Sequence, residues 1–171
     1  MSSSRDAPRR ADEASAMVTW AEFAVGAPEI AAEARRLMYA RGDGEALLAT
    51  VRGDEPPRIH PVNVAIIDDH LYAFVIAASP KRRDLEEDGR FALHTHQDPT
   101  APSEVAVRGR ARLVGDGPER SRVADGWAFG VDEQYTLFEF SIESALLGAR
   151  TSPDEWPPRY TSWRRETGAK P

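Results

Sequence analysis

Residues 58–89 read RIHPVNVAIIDDHLYAFVIAASPKRRDLEEDG. Two apolar runs, residues 58–67 and 71–77, flank the sequence Asp68-Asp69-His70. Asp turns the chain readily, because its side chain bonds to nearby backbone and tolerates a left-handed conformation. This pattern therefore predicts an antiparallel hairpin, and it favours a turn over a pair of catalytic carboxylates at these aspartates.

A short helix is predicted directly after this hairpin. Ser79 and Pro80 have the spacing of an N-cap and a first helical residue, and Gly89 is typical of a helix end. The first turn carries Lys81-Arg82-Arg83. Because the first backbone amides of a helix attract anions, this turn is a candidate phosphate site. The alternative is a solvated charged face balanced by Glu86-Glu87-Asp88.

The rest of the chain adds more strands and helices of similar length. The periodicities predict a capped helix from Thr19, a helix from Pro28 to Gly42, strands over 46–51, 91–96, 104–114 and 137–142, and a helical segment that opens at 115–118 and ends at Trp127. With at least six short strands, closure into a barrel is the simplest way to remove sheet edges. The fold class predicted is mainly β (α+β).

Composition limits the function classes that need to be considered. The chain has 171 residues, no Cys, a net charge of -6 and a pI near 5.3. These values predict one domain without disulfides and disfavour nucleic-acid binding. We expect a disordered tail over residues 1–18, a domain over 19–165 and a flexible tail over 166–171. We read no secretory signal and no membrane span, so a cytoplasmic location is expected.

Four sequence pieces occur in an order that resembles a known family. These are RIHPVN at 58–63, LYAFV at 71–75, SPK at 79–81 and EVAVRGRA at 104–111. The set resembles the flavin-binding core of the pyridoxamine 5'-phosphate oxidase-like family. The resemblance implies an FMN-binding split β-barrel of six to seven antiparallel strands with short flanking helices. It also implies a homodimer with the cofactor sites at the subunit interface and hydride transfer to or from a small molecule.

The resemblance also implies which residues hold the cofactor. They are Arg58, Ile59, His60, Pro61, Val62, Asn63, Val75, Ser79, Lys81, Arg82 and Trp163. Arg58, Ser79 and Lys81 match positions that hold the flavin phosphate, and Arg82 is a candidate for a second cation. The backbone of residues 59–62 matches a stretch that runs along the isoalloxazine ring. No acid or base is indicated, since the cofactor carries the chemistry in such sites.

Three positions depart from the family pattern. Pro80 stands where the family often has Arg, Asn63 where the oxidases proper have Lys, and Val75 where they have a hydroxyl residue. These departures change polar groups that would contact the flavin or its phosphate.

The C-terminal segment carries a weaker resemblance. Trp163-Arg164 is similar to the Trp and Arg that the oxidases place over the flavin from the partner subunit. Alternatively, this aromatic and basic segment packs on the barrel together with Tyr160. The Arg and His motif that binds the substrate phosphate in the oxidases is not found in residues 157–171, so pyridoxine phosphate oxidation is not expected.

Several alternatives stay open at this stage. A 5-deazaflavin coenzyme could replace FMN within the same fold, and a non-catalytic barrel could bind flavin or haem. A structural dimer with no ligand is a third possibility. His94 and His96 share a strand face and could bind a metal with His60 or Asp98, although we expect no metal. No Gly-rich phosphate loop and no Gly-x-Ser-x-Gly motif occurs.

Overall fold

The computed structural model describes residues 17–100 and 102–166, which form four helices and eight strands. The helices are α1 (Trp20–Gly26), α2 (Pro28–Met38), α3 (Pro80–Glu87) and α4 (Pro118–Asp125). The strands are β1 (Glu45–Thr50), β2 (Arg58–Asn63), β3 (Ala65–Ile67), β4 (His70–Ile76), β5 (Arg90–His94), β6 (Glu104–Val114), β7 (Tyr135–Ala149) and β8 (Arg159–Arg164).

The predicted tails fall mostly outside the described residues, which exclude 1–16 and 167–171. Val18 was assigned to the N-terminal tail and is described. Its side chain is buried, and its backbone N–H donates a hydrogen bond to Oγ of Ser141 over 2.8 Å. Val18 therefore packs against β7 as part of the folded domain.

The two edge strands of the sheet are joined by the polypeptide backbone. All strand pairs are antiparallel, and the strand order is β2-β1-β5-β6-β7-β4-β3. The two ends of this order, β2 and β3, are consecutive in sequence and are separated only by Val64. The chain therefore joins the two sheet edges, as a barrel requires.

One long strand divides the barrel. β6 pairs along one edge of β7, whereas the opposite edge pairs with β4 over its first part and with β8 over its last part. The change of partner occurs around residues 141–143, and it produces the split of a split barrel. The predicted fold class, a mainly β antiparallel split barrel with short helices, is confirmed.

Local signals located most elements correctly. Thr19 and Glu22 form the predicted capping box, and Ser79 caps α3 with Pro80 at its first position. Asp68 and Asp69 adopt φ angles of 47° and 64°, the left-handed conformation that a two-residue reversal needs.

Several predicted boundaries differ from the structure. The strand predicted over 137–142 is the much longer β7, and the helices predicted to run to Gly42 and Trp127 end at Met38 and Asp125. The strand expected over 58–67 is two strands, because the N–H of Val64 leaves the ladder and donates to the carbonyl of Gly44 over 2.9 Å. The segment after Pro157 forms β8 on the edge of β7. The division of β2 from β3 and the addition of β8 account for eight strands instead of six to seven.

Two apolar clusters fill the structure. The larger one joins the barrel interior to α1 and α2, with Phe23, Leu48 and Phe140 fully or almost fully buried. The smaller one lies between α4 and the outer face of β4 and β7, around Phe74 and Trp127. No helix of the described ranges is long and apolar enough to cross a membrane.

Candidate functional site

A cavity of about 480 Å³, which we call the large cavity, opens where β2 and β4 end beside the first turn of α3. It is lined by Arg41, Glu45, Pro61, Val62, Asn63, Phe74, Val75, Ile76, Lys81, His96, Phe129 and Tyr135. Five of these are predicted cofactor residues: Pro61, Val62, Asn63, Val75 and Lys81. The hairpin and the capped helix bring them together, since β2 and β4 end on the same side of the barrel as α3 begins.

Of the lysine and arginine side chains that line this cavity, Lys81 is the one without a carboxylate partner among the described residues. Its Nζ donates to the carbonyl oxygen of Pro61 over 3.4 Å, and no carboxylate pairs with it among the described residues. Partial burial lowers the pKa of Lys81 below its ordinary value, because desolvation disfavours the charged amine. An anion bound in the cavity would favour the charged amine and so raise the pKa of Lys81 again.

The predicted phosphate ligands Arg58 and Ser79 have other partners. Arg58 donates to both carboxylate oxygens of Asp84 over 2.9 and 3.0 Å, and it also pairs with Glu55. Ser79 Oγ donates to the carbonyl of Ile76 over 2.6 Å and accepts from the N–H of Arg82 over 3.4 Å. Both side chains thus position the start of α3, and neither lines the large cavity.

Two buried nitrogen atoms near α3 lack hydrogen-bond partners within the described residues. They are Nε2 of His60 and Nε of Arg82. Arg82 also pairs with Glu86 through Nη2 over 2.8 Å. Burial, followed by the charge of Lys81, lowers the pKa of His60, which favours the neutral imidazole. A buried polar atom without a partner is uncommon. Neither His60 nor Arg82 is part of the lining of the large cavity.

The other predicted residues face away from the large cavity. Ile59 is 71% exposed on the outer face of β2. Trp163 lies on β8, and its ring packs against Phe23 of α1 with the centroids 5.3 Å apart. Within its own chain, Trp163 therefore serves as packing area; its predicted reach to a partner's cofactor stays a prediction.

Sequence reasoning missed several residues of the cavity wall. Arg41 follows α2 and pairs with Glu45 over 3.8 Å. Phe129 and Tyr135 come from the loop and strand start after α4, where no periodic pattern indicated which side chains turn inward. His96 was noted only for its spacing from His94. Tertiary contacts alone place these groups in the cavity.

His94 and His96 do not share a strand, because β5 ends at His94. His94 Nδ1 bonds to the carbonyl of Thr95 over 2.6 Å, and its Nε2 lies 3.5 Å from Glu104. Over residues 17–100 and 102–166, no three His, Asp or Glu side chains are arranged to hold a metal ion.

The residues present fit an anionic, largely apolar cofactor. The cavity volume lies within the roughly 300–1,000 Å³ usual for small-molecule sites. Half of the twelve lining residues are valine, isoleucine, phenylalanine or proline, and Lys81 and Arg41 supply cations. A flavin phosphate on Lys81, with the ring along Pro61 and Val62, would satisfy both features.

Solved structures with this fold include proteins described with different ligands. A haem binding protein from Mycobacterium smegmatis matches with a TM-score of 0.57 and 17% identity. The match covers 78% of this chain and 57% of that protein. PhzG from Burkholderia lata, solved with tetrahydrophenazine-1-carboxylic acid, matches with a TM-score of 0.56 and 15% identity over 72% and 77% of the two chains.

A third structure, the haem storage protein HutZ from Vibrio cholerae, matches with a TM-score of 0.55 and 18% identity over 67% of this chain and 90% of HutZ. At such low identity these likenesses show a shared fold. No curated protein sequence matches the chain.

The family is settled by sequence. Residues 16–146 match the family model described as pyridoxamine 5'-phosphate oxidase, and they include the hairpin, α3 and most of β7. That span is well over half of the chain and contains every residue that lines the large cavity. The chain therefore belongs to the pyridoxamine 5'-phosphate oxidase-like family of split β-barrels.

Proposed function

We propose that this chain is an FMN-binding oxidoreductase that transfers a hydride to or from a small-molecule substrate and works as a homodimer. The observation that carries the proposal is the combination at the start of α3. Lys81, on the first turn of that helix, lines a cavity together with valine, phenylalanine and proline side chains, and it has no carboxylate partner among the described residues.

The chain's own residues bind and orient the cofactor in this proposal. Lys81 pairs with the phosphate, and the guanidinium of Arg82, the next residue of α3, is proposed as the second cation. Pro61 and Val62 form one wall for the ring, and Val75 keeps water from it. When bound, FMN supplies the hydride chemistry. His60, whose pKa is lowered, would contribute a neutral imidazole near the ring edge.

A second copy of the chain is proposed to cover one face of the sheet, which we call the open face. Cross-strand register puts two rows of side chains on this face. The first row is Ile59, Ala49, Ala92, Arg108, Ser144 and Arg164, and the second row is Pro61, Leu47, His94, Ala106, Leu146 and Ser162. Most are small or apolar, and Ile59 and Leu146 are 71% and 39% exposed. Contiguous apolar surface of this kind marks an interface, and symmetric dimers are its commonest form.

An absorbance spectrum tests the cofactor. Full-length protein mixed with FMN and freed of unbound ligand should retain bands at about 370 and 450 nm. Light scattering on the same sample should give twice the chain mass, and a reduction assay with a nicotinamide donor separates an enzyme from a passive binder. A protein that retains 5-deazaflavin but no FMN would replace FMN with that coenzyme; retention of neither would contradict the proposal.

One observation favours haem as a second candidate. His96 lines the large cavity, and imidazole is a common axial ligand of haem iron. The cations Arg41 and Lys81 could then hold the propionates. Added haem would give an intense band at about 400 nm that is lost in His96→Ala if this candidate is correct.

The affinity for FMN is predicted to fall at high pH, starting below the ordinary pKa of lysine. Burial lowers the pKa of Lys81 in the free protein, so its amine loses its charge earlier than an exposed lysine does. Phosphate favours the charged amine, so affinity is full below that pKa and drops by up to about tenfold per pH unit above it. Fluorescence titrations between pH 7 and 10.5 measure this.

Lys81→Arg is the matched control for this pH dependence. Guanidinium stays charged over the whole range, so the variant should lose the fall in affinity while retaining a cation at the same place. The same pH profile in Lys81→Arg would show that a group other than Lys81 is responsible.

A further inference from the structure

A cavity of about 220 Å³, which we call the arginine pocket, lies on the open face where β6, β7 and β8 run side by side. Its lining residues include Ala106, Arg108, Ser144, Leu146, Ser162 and Arg164. The arginine pocket and the large cavity have no lining residue in common. A ligand in the arginine pocket would therefore not touch the wall of the large cavity of the same chain.

Cross-strand register places a cation on each side of a serine in this pocket. Arg108 of β6 pairs with Ser144 of β7, and Ser144 pairs on its other side with Arg164 of β8. Directly paired residues of antiparallel strands project from the same face of the sheet. Neighbouring strands lie about 4.8 Å apart, so the Cα atoms of the two arginines are roughly 10 Å apart. Both long side chains can therefore reach an ion that lies over the serine.

Neither arginine of this row has a protein partner. Arg108 and Arg164 make no ion pair, hydrogen bond or ring contact with the residues that the structure describes, and both are exposed. The hydroxyl of Ser144 is likewise unpaired within the described ranges. In a chain with 28 acidic and 22 basic residues, two neighbouring arginines without a carboxylate are unexpected. The row thus offers charged and hydroxyl donors without an acceptor of its own.

The donors of this row match an oxyanion. Like charges that face each other across strands repel, and an anion between them removes that repulsion. A guanidinium group presents its N–H donors in a fixed fork that fits the oxygens of carboxylate or phosphate. The serine hydroxyl can donate to the same oxygens.

The adjoining row of the pocket is small and apolar. Ala106, Leu146 and Ser162 are aligned on the same three strands, two residues further along each strand. Leu146 is 39% exposed, so it presents apolar surface beside the arginines. An apolar cavity of about 150 Å³ takes up benzene, so a pocket of about 220 Å³ has room for one six-membered ring with a carboxylate.

We propose that the arginine pocket binds a small organic acid, with its carboxylate between Arg108 and Arg164 and a single apolar ring against Leu146. Free phosphate has the same charge chemistry but no apolar part, so it should bind more weakly. This second ligand site does not depend on the cofactor of the large cavity. If a second copy covers the open face as proposed, the acid also supplies negative charge that these arginines otherwise lack in the interface.

NMR titrations of the full chain with benzoate test this inference, because proton–nitrogen spectra contain arginine Nε–H signals. Benzoate should shift the Nε–H signals of Arg108 and Arg164. Benzamide has the same ring without the charge, and inorganic phosphate has no ring, so each should bind more weakly by about fivefold or more. Arg108→Gln and Arg164→Gln should each weaken benzoate binding by about fivefold to tenfold, the effect of one charge-assisted bond at an exposed site.

Arg110→Gln is the matched control for the two pocket variants. Arg110 lies on the same strand as Arg108 and is also exposed, but it pairs with Glu143 over 3.8 Å and lies outside the arginine pocket. This variant should bind benzoate as wild type does. Should a pocket variant fail to fold, the comparison of benzoate with benzamide and phosphate on the unmodified chain decides.

The remaining outcomes separate this inference from the proposed function. Benzamide or phosphate binding as tightly as benzoate, or equal losses in Arg110→Gln and Arg108→Gln, overturns the inference. FMN displacing benzoate also overturns it, because the pocket would then belong to a cofactor. Benzoate affinity that falls as the protein is concentrated overturns it too, since a second copy would then fill the pocket. Benzoate binding by a chain that retains no FMN supports the site while contradicting the oxidoreductase.

Discussion

Arg112→Met is expected to lower the free energy of unfolding by about 3 kcal/mol, because it leaves a buried carboxylate without its cation. Arg112 donates from Nε to Glu139 over 2.9 Å and from Nη2 to Glu119 over 2.8 Å. The Glu139 side chain is 8% exposed and also bonds to His70 Nδ1 over 2.5 Å. Arg112 itself is partly exposed, which keeps the loss at the lower end of the range for buried pairs.

The geometry explains why this arginine matters more than others. Cross-strand register aligns Tyr72, Glu139 and Arg112 on β4, β7 and β6, and Tyr72 donates to Glu119 of α4 over 3.1 Å. Burial and the two nearby carboxylates raise the pKa of Tyr72, so it remains a donor at high pH. Loss of Arg112 would remove the cation that Glu119 and Glu139 share and would loosen α4 from the sheet, although His70 and Tyr72 still bond to these carboxylates.

Urea denaturation measures the loss, and Arg122→Met is its control. Arg122 pairs with Asp68 over 2.8 Å, but both side chains are more than half exposed. Surface pairs of this kind contribute at most about 1 kcal/mol. Equal losses in the two variants would show that burial of Glu139 does not set the cost.

Gly109→Ala is expected to cost about 3 kcal/mol of stability, equivalent to a melting temperature lower by about 6–12 °C. A Cβ on Gly109 would lie 1.8 Å from the carbonyl oxygen of Ser141 and 3.1 Å from the backbone nitrogen of Glu143. Both are backbone atoms of β7, so no side chain can move aside to make room. The register of β6 and β7 shifts between Arg108 and Gly109, and the glycine permits this close approach.

Gly115→Ala serves as the control for the methyl group itself. No atom lies within 4 Å of the position that its Cβ would take. Its melting temperature should be unchanged or slightly raised, because alanine restricts the unfolded chain. A calorimetric scan that finds the same temperature for Gly109→Ala and wild type would contradict the close approach at the bulge.

Local sequence signals predicted the elements whose boundaries depend on neighbours in the chain. The capping box at Thr19, the Asp68-Asp69 reversal and the Ser79-Pro80 helix start are all of this kind. Non-local contacts set the rest. The division of β2 from β3 depends on the carbonyl of Gly44, and β8 exists because the last part of β7 presents a bare edge to it.

The candidate site shows the same limit. The resemblance implied that Lys81 and Pro61 contact the same cofactor, and both residues line the large cavity. The sequence implied that Arg58 contacts the phosphate, but it could not show that Arg58 pairs with Asp84. The two residues lie on different elements and meet only in the folded chain. For the same reason, no sequence pattern indicated the arginine pocket.

An FMN titration of wild type, Lys81→Ala and Arg83→Ala, followed by fluorescence, tests the proposed phosphate site at the first turn of α3 most directly. Each variant removes one cation from the same helix turn, but Arg83 is exposed and lies outside the large cavity. A charge-assisted bond to phosphate contributes roughly 1.5 to 3 kcal/mol, so Lys81→Ala should weaken FMN binding by about tenfold or more. Arg83→Ala should stay within about twofold of wild type. Equal affinities in the two variants would contradict the account.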